Sequence, residues 1–393
     1  MNFSHVHSLV QIEPSRTKRS KMACDKNLLL IWIFLVCEFE KSYSLSCLDM
    51  EKKPVSWFIA YNLPKKSIPN TSGADFLYMD EHTNSDMAFQ KSKVSLMDGK
   101  QAIGYTLQQV YGNQKSKKVG YGMYNDQPPP EKKSTKKSGH TKGVVGFDST
   151  GGFWLVHSVP HFPSHANDGY GWPTNANRYG QTFLCISVSF QQFEQIGRQL
   201  RYNCPHFYDI HMPAEFPVKL PSLHSALLGV CDDTSPHYNI ATLTATNGQN
   251  FVSFAKSKSF SEDLYRLVAK EYHYSLYTET WQRGNDNKIA SYCNYPKVIN
   301  IKNVQVGKYK FSSAQDHSKW AVTAGDARKP PSQQAVCIGD INREKTQLKR
   351  AGGTVCMDKV LNVWRAFREA ILGAEICTNS ENKQKIEKKT RDL

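Results

Sequence analysis

Two short spacings carry the chemistry in this sequence. His140 and Lys142 form one His-x-Lys pair, and His317 and Lys319 form another. On a β-strand, residues two apart project from the same face, so each imidazole would stand beside its ammonium. That combination suits a phosphodiester. The lysines would hold non-bridging oxygens and stabilise the charge that develops at pentacoordinate phosphorus. One imidazole would attack phosphorus while the other protonates the departing oxygen. In-line displacement puts attack and departure on opposite sides, so the chemistry calls for two copies. A single His-x-Lys is weak evidence in a basic chain, and the weight rests on the pair.

The remaining histidines offer less. His161 and His165 have the i, i+4 spacing of a helical metal site, but Pro160 and Pro163 oppose a helix there. No His-Glu-x-x-His or acidic metal cluster occurs, so neither metal nor other cofactor is expected. His157 has two readings: a hydrogen-bonding residue near the site, or a plain partly buried histidine. His82, His206, His224, His237 and His273 read as surface or structural residues. Trp154, Trp281, Trp320 and Trp364 read as core rather than as base-stacking platforms.

Apolar alternation and turn residues predict the elements that must position these groups. Strands are expected at 54–61, 140–147, 152–159, 184–190, 240–246, 276–282, 298–304, 320–323 and 335–341. Helices are expected at 102–111, 191–202, 261–273 and 358–372. The Lys-rich stretch 113–142, with Pro128-Pro129-Pro130, reads as a solvated loop, with phosphate binding as the other reading. GHTKGVVGFD…GGFWLVHSVP has a weak counterpart in DHSKWAVTAGD…AVCIGDINR. Setting residues 154–159 beside 336–341 keeps the apolar alternation in step, so two half-domains, each with one His-x-Lys, are expected.

Of the 393 residues, 39% are hydrophobic, 11% aromatic and 22% charged, which excludes a mainly disordered chain or a multi-span membrane protein. The net charge of +15 points to an anionic partner. Arg16, Lys18, Arg19, Lys21 and Lys26 precede the apolar run 28–37, followed by Ser44 and Ser46. Ten apolar residues suit a signal-peptide core cleaved near Ser46; an N-terminal anchor is the other reading, and Met22 is an alternative start. Cys24 and Cys37 leave with that leader. The remaining eight cysteines, an even number without Cys-x-x-Cys, read as disulfides of an exported protein. Asn70-Thr71-Ser72 is a glycosylation sequon in a polar loop. The charged tail 378–393 lacks apolar periodicity and is expected to be disordered.

GHTKG at 139–143, GGFWLVHSVP at 151–160, YNDQPP at 124–129, DHSKW at 316–320 and CIGDINR at 337–343 together resemble the deoxyribonuclease II family. WFIAYNLP at 57–64 and TETWQR at 278–283 extend the resemblance over the whole chain beyond the leader, and TLQQVY at 106–111 leans toward the beta type. The resemblance implies a phospholipase D-like α/β fold with two pseudo-symmetric halves, 47–215 and 216–377, and the active site between them. It implies metal-independent cleavage of DNA in acidic compartments to 3′-phosphate ends, with His140, Lys142, His317 and Lys319 catalytic. A lysosomal or secreted location follows, without membrane anchoring once the leader is removed. Oligomeric state is left open.

Further residue roles come from the same resemblance. Gly339-Asp340-Ile341-Asn342 is similar to the superfamily's Gly-Ser-x-Asn segment, which makes Asn342 a candidate phosphate contact. The implied disulfides are Cys47–Cys185, Cys293–Cys377 and Cys337–Cys356, with Cys204–Cys231 as the remaining pair. Two departures stand out. Asp148 and Asp326 lie too far on to match the superfamily's acidic residue after the His-x-Lys, and Ala321 stands where the family often has cysteine. The competing expectations are a phospholipase or other phosphodiesterase on the same fold, and a secreted polyanion-binding protein without catalysis.

Overall fold

The structure is a computed structural model that describes residues 44–65, 70–84, 89–129, 138–282, 286–326, 328 and 334–377. The leader through residue 43 and the tail 378–393 lie outside the described residues. No described helix is long and apolar enough to cross a membrane.

A short ribbon of β1 (Cys47–Leu48) and β2 (Pro54–Val55) precedes two large sheets. The first contains β3 (Trp57–Asn62), β4 (Phe76–Asp80), β5 (Gln90–Lys91), β6 (Gly120–Asn125), β7 (Lys142–Phe147), β8 (Gly151–His157), β9 (Gln181–Ser189) and β10 (Phe207–His211), in the order β10-β6-β7-β8-β9-β3-β4-β5. The second is built from β11 (Tyr238–Thr244), β12 (Asn250–Lys256), β13 (Leu276–Thr280), β14 (Val298–Val306), β15 (Tyr309–Ser312), β16 (Lys319–Thr323), β17 (Ala335–Gly339), β18 (Gly352–Asp358) and β19 (Ile371–Ala374). Its order is β11-β12-β18-β17-β16-β13-β14-β15, with β19 on β14. Among these pairings only β13–β14 is parallel. The fold is therefore mixed α/β with large, mainly antiparallel sheets and few helices.

Strand alternation sorts the side chains into layers. Trp154, Val156 and Ile186 of the first sheet share one apolar cluster with Trp320, Val336 and Ile338 of the second. On the outer face of the first sheet, Phe153 and Leu155 pack with Ile103 and Leu107 of α1 (Ala102–Gln108). α2 (Gln192–Asn203) then follows β9 and adds Phe193, Ile196 and Leu200 to the shared core. On the outer face of the second sheet, Ala321, Cys337 and Cys356 pack with Leu264 and Val268 of the helix Leu264–Tyr272. The closing helix, Leu361–Glu369, returns Val363 and Phe367 to the shared core. Trp154 and Val336 thus point into the same core, as do Val156 and Ile338, which is the register set by the internal similarity.

Four disulfides pin this frame: Cys47–Cys185, Cys204–Cys231, Cys293–Cys377 and Cys337–Cys356. They are the pairs implied by the resemblance. On the chain-entropy account, each loop of such length contributes roughly 3–5 kcal/mol by restricting the unfolded chain.

Two expectations are corrected. The stretch 113–142 is not a solvated loop throughout, because β6 crosses it with every residue buried and pairs with β7. The charge run before it and the prolines after it masked a strand whose buried Tyr121, Met123 and Tyr124 are divided between its two faces and preceded or split by Gly120 and Gly122. The expected strand 140–147 begins at Lys142, so His140 stands just outside β7, and His317 likewise stands just outside β16.

Candidate active site

Antiparallel pairing brings one end of several strands together. The ends of β6, β8, β13 and β17 meet the starts of β7, β9, β16 and β18 there, and both His-x-Lys segments enter their strands at this end.

His140 is fixed by backbone contacts on both sides. Gly139 approaches the end of α2 so closely that a Cβ would lie 1.9 Å from the Asn203 carbonyl, and its N–H donates to Cys204 O at 2.7 Å. No larger residue fits there. The His140 N–H donates to Ala351 O at 2.8 Å, just ahead of β18. Its ring Nδ1 lies 2.7 Å from the Asp340 carbonyl. A carbonyl can only accept, so Nδ1 carries the proton and Nε2 keeps its lone pair. Burial first, then the Lys142 charge, pushes the imidazole well below its ordinary pKa, with Arg350 adding to this and Asp126 opposing it. His140 is therefore neutral in solution where an exposed histidine is charged.

Lys142 is buried and ion-paired with Asp126, the residue after β6. Arg350 Nη2 reaches the other oxygen of that carboxylate at 3.3 Å and also donates to the carbonyls of Ser138 and Gly139 at 3.1 Å. Burial acts upward on the Asp126 carboxyl, but Lys142 first and then Arg350 outweigh it and hold the group below the usual carboxylate range. The Lys142 N–H donates to Asp340 Oδ1 at 3.3 Å. Asp340, at the end of β17, thus touches both members of the first pair. Burial pushes its carboxyl well above the usual range, against the pull of Lys142.

The second pair rests on a different frame. Gly180 forms an isolated parallel bridge with Asp316, and a Cβ on Gly180 would lie 2.4 Å from Asp316 Oδ1. The His317 N–H donates to Gly180 O at 2.8 Å. Asp316 accepts from Ser318 N at 3.0 Å and Ser318 Oγ at 2.7 Å, and from the Tyr61 hydroxyl. Trp320 Nε1 donates to the same hydroxyl at 3.1 Å. Lys319 donates to the His317 carbonyl. Burial, followed by the Lys142 charge, pushes the Lys319 ammonium down to about 7, while Asp316, Asp340 and Asp126 act upward. The mutual influence of Lys142 and Lys319 places the two pairs in one electrostatic site.

The other expected residues are placed as follows. His157 is buried on β8 between Phe162 and Phe183, accepts the Val159 N–H on Nδ1 at 3.2 Å, and is held neutral by burial and Lys142. Asn342 is buried beyond β17; Gln347 Oε1 accepts its N–H at 2.7 Å, and its own Oδ1 has no partner among the described residues. Asn70 is exposed on its turn. Asp148 closes the turn between β7 and β8, and Asp326 pairs with Arg328, so neither serves a site histidine. Among the described residues, no group of three or more His, Cys, Asp or Glu is arranged to hold a metal ion.

Sequence reasoning missed Asp126, Asp340, Arg350, Tyr179 and Trp281. Trp281, read as core, is half-buried and lies 3.8 Å from the His317 ring, centroid to centroid. Asp126, Asp340 and Trp281 all fall inside the motifs quoted above, so the motifs held the signal without revealing which member did what. Arg343, also in such a motif, is buried and donates to Asp263 at 2.8 Å and to Ala290 O at 3.1 Å. Asp263 caps the helix Leu264–Tyr272. Arg343→Met would strand a buried carboxylate, and a loss of about 3–5 kcal/mol is expected. Urea denaturation measures it, and a loss below 1 kcal/mol would contradict the assignment.

The comparisons agree with this geometry. The family described as Deoxyribonuclease II matches residues 46–377. Plancitoxin-1 of Acanthaster planci is 42% identical over 344 residues, covering 86% of this chain and 94% of the relative. Human deoxyribonuclease-2-beta is 36% identical over 341 residues, 85% of this chain and 92% of the relative. Rat deoxyribonuclease-2-alpha is also 36% identical, over 367 residues, 91% of this chain and all of the relative. The human beta type and the rat alpha type thus stand at the same identity. With both His-x-Lys pairs gathered at one end of the sheets and the match running from residue 46 to the last disulfide, the chain belongs to the deoxyribonuclease II family, hydrolytic endonucleases.

Proposed function

We propose that the protein is a metal-independent acid endodeoxyribonuclease that cleaves DNA to 3′-phosphate ends through a covalent phosphohistidine. The unlike surroundings of the two histidines carry the reading. His140 is neutral, with its proton on Nδ1 and its lone pair on Nε2, which is the form a nucleophile needs. Nε2 attacks phosphorus, the bond from phosphorus to the 5′-oxygen breaks, and His317 delivers a proton to that oxygen. Water then attacks the phosphoryl group, His317 takes the water's proton, and the phosphorus–nitrogen bond breaks to leave the 3′-phosphate. Lys142 and Lys319 hold the non-bridging oxygens throughout, and Asn342 adds a phosphate contact. His157 backs Lys142 as a neutral polar wall.

The two sheets, each with one His-x-Lys segment at the start of a hairpin strand (β7–β8 and β16–β17), support a phospholipase D-like arrangement of two pseudo-symmetric halves, 47–215 and 216–377. The net charge suits a polyanion such as DNA. The basic and apolar leader, the disulfides and the sequon at Asn70 support export to lysosomes or out of the cell, with glycosylation at Asn70.

Nicking of supercoiled plasmid at pH 5 with and without EDTA tests the reading. Equal rates, with 3′-phosphate ends on the products, are expected. Loss of activity in chelator would overturn the mechanism. Faster cleavage of a phosphatidylcholine headgroup than of DNA would favour the lipid phosphodiesterase instead.

A further inference from the structure

Both histidines of a two-histidine mechanism need a fixed geometry, and the ring of His140 has its Nδ1 against the Asp340 carbonyl. His317 is held differently. The Tyr179 ring stacks on it with centroids 3.8 Å apart and planes within 10°. The Trp281 ring lies against it at 3.8 Å and 57°, and Tyr179 meets Trp281 edge to face at 5.7 Å. We propose that Tyr179 and Trp281 form an aromatic clamp that positions His317 as the acid for the leaving oxygen. The inference rests on the paired-histidine reading above.

The clamp is built by the backbone on both sides. Gly180 N donates to Gln315 O at 3.0 Å, and His317 N donates to Gly180 O at 2.8 Å, so Tyr179 is zipped beside His317. Trp281 follows β13, whose Thr280 pairs with Lys319 on β16, and its Nε1 donates to Ala314 O at 3.2 Å. The rings therefore arrive from two separate elements and converge on one imidazole. Neither is needed to fill the core, because both remain half-buried.

Aromatic faces attract a cation, and an imidazolium between two of them is favoured over the neutral ring. Asp316 is taken by Tyr61 and Ser318, Lys319 turns to the His317 carbonyl, and Arg178 sits over Tyr179 at 5.1 Å. The two histidines are thus fixed by unlike means, His140 by a backbone carbonyl and His317 by two aromatic rings.

The test separates proton delivery from binding and folding. Tyr179→Leu and Trp281→Leu proteins are compared with the parent on two oligonucleotides. One is ordinary DNA, and the other carries a single 5′-bridging phosphorothiolate, whose thiolate leaves without needing a proton. General acid catalysis contributes on the order of 10²–10⁴-fold. Each variant is expected to lose roughly 10–100-fold on ordinary DNA, a loss set by misplacement of the acid, and less than about 3-fold on the phosphorothiolate. Tyr179→Phe and Trp281→Phe should restore most of the rate. Equal losses on both substrates, loss on neither, or a parent enzyme that cleaves the phosphorothiolate no faster than DNA would each overturn the clamp. His140→Ala is the control for the underlying mechanism, because it must abolish cleavage of both substrates. If it does not, the paired-histidine reading fails and not the clamp alone.

Discussion

His140→Ala is expected to lower DNA cleavage at pH 5 by at least roughly 10⁴-fold, the scale seen when a covalent nucleophile is removed. Its neutral, Nε2-basic form follows from the Asp340 carbonyl on Nδ1 and from burial beside Lys142. Affinity for DNA should change by less than about 3-fold, because a neutral imidazole contributes no counterion release. The fold should survive, since the backbone contacts of residue 140 to Ala351 persist. His317→Ala should be less severe, about 10²–10⁴-fold, because water can supply a proton slowly. Plasmid nicking in EDTA measures the rates, fluorescence anisotropy measures binding, and thermal melting checks folding. A His140→Ala protein within 10-fold of the parent would exclude attack by this residue, and loss of binding in parallel would reassign it to substrate capture.

How far the site could be read before the structure depends on what kind of order each residue belongs to. The His-x-Lys spacing is local, so a two-residue period singles out His140, Lys142, His317 and Lys319 as candidates. The hairpins β7–β8 and β16–β17 were legible because their inward residues alternate strictly, with Trp154, Val156, Val336 and Ile338 all facing one core. β6 was not, since its glycines break the apolar count while its burial comes from β7 and β10 on either side. Asp126, Arg350 and Asp340 act across separations of 16, 224 and 198 residues, and no periodicity records such pairings. Trp281 illustrates the limit well. A tryptophan at a strand end reads as core by composition, and only the pairing of Thr280 with Lys319 shows which imidazole it meets.

The pH dependence should bear the mark of Lys319. Its ammonium is pushed down to about 7 by burial and then by Lys142, whereas an exposed lysine stays charged far above that. The charged form is the one that can hold a phosphorane oxygen, so its contribution is complete below about 7 and is lost as pH rises through that value. In the proposed mechanism His317 must also carry a proton to expel the leaving oxygen. Two groups that must both be protonated make the logarithm of the rate fall with a slope approaching −2 on the alkaline side. His140 does not oppose this at mildly acidic pH, because its depressed pKa keeps it neutral there. The active window therefore lies between protonation of His140 and deprotonation of Lys319, without either group having the value of its exposed counterpart. Lys319→Met is expected to cost about 10²–10³-fold at pH 5, the range for losing one preorganised charge or donor at the transition state. Lys319→Arg keeps a charge at every pH examined, and its alkaline slope should relax toward −1. Single-turnover rates at saturating enzyme and fixed ionic strength, from pH 4 to 9, keep DNA affinity out of the profile. A Lys319→Met protein with an unchanged rate and slope would show that the second lysine neither touches the reacting phosphate nor sets the acid range.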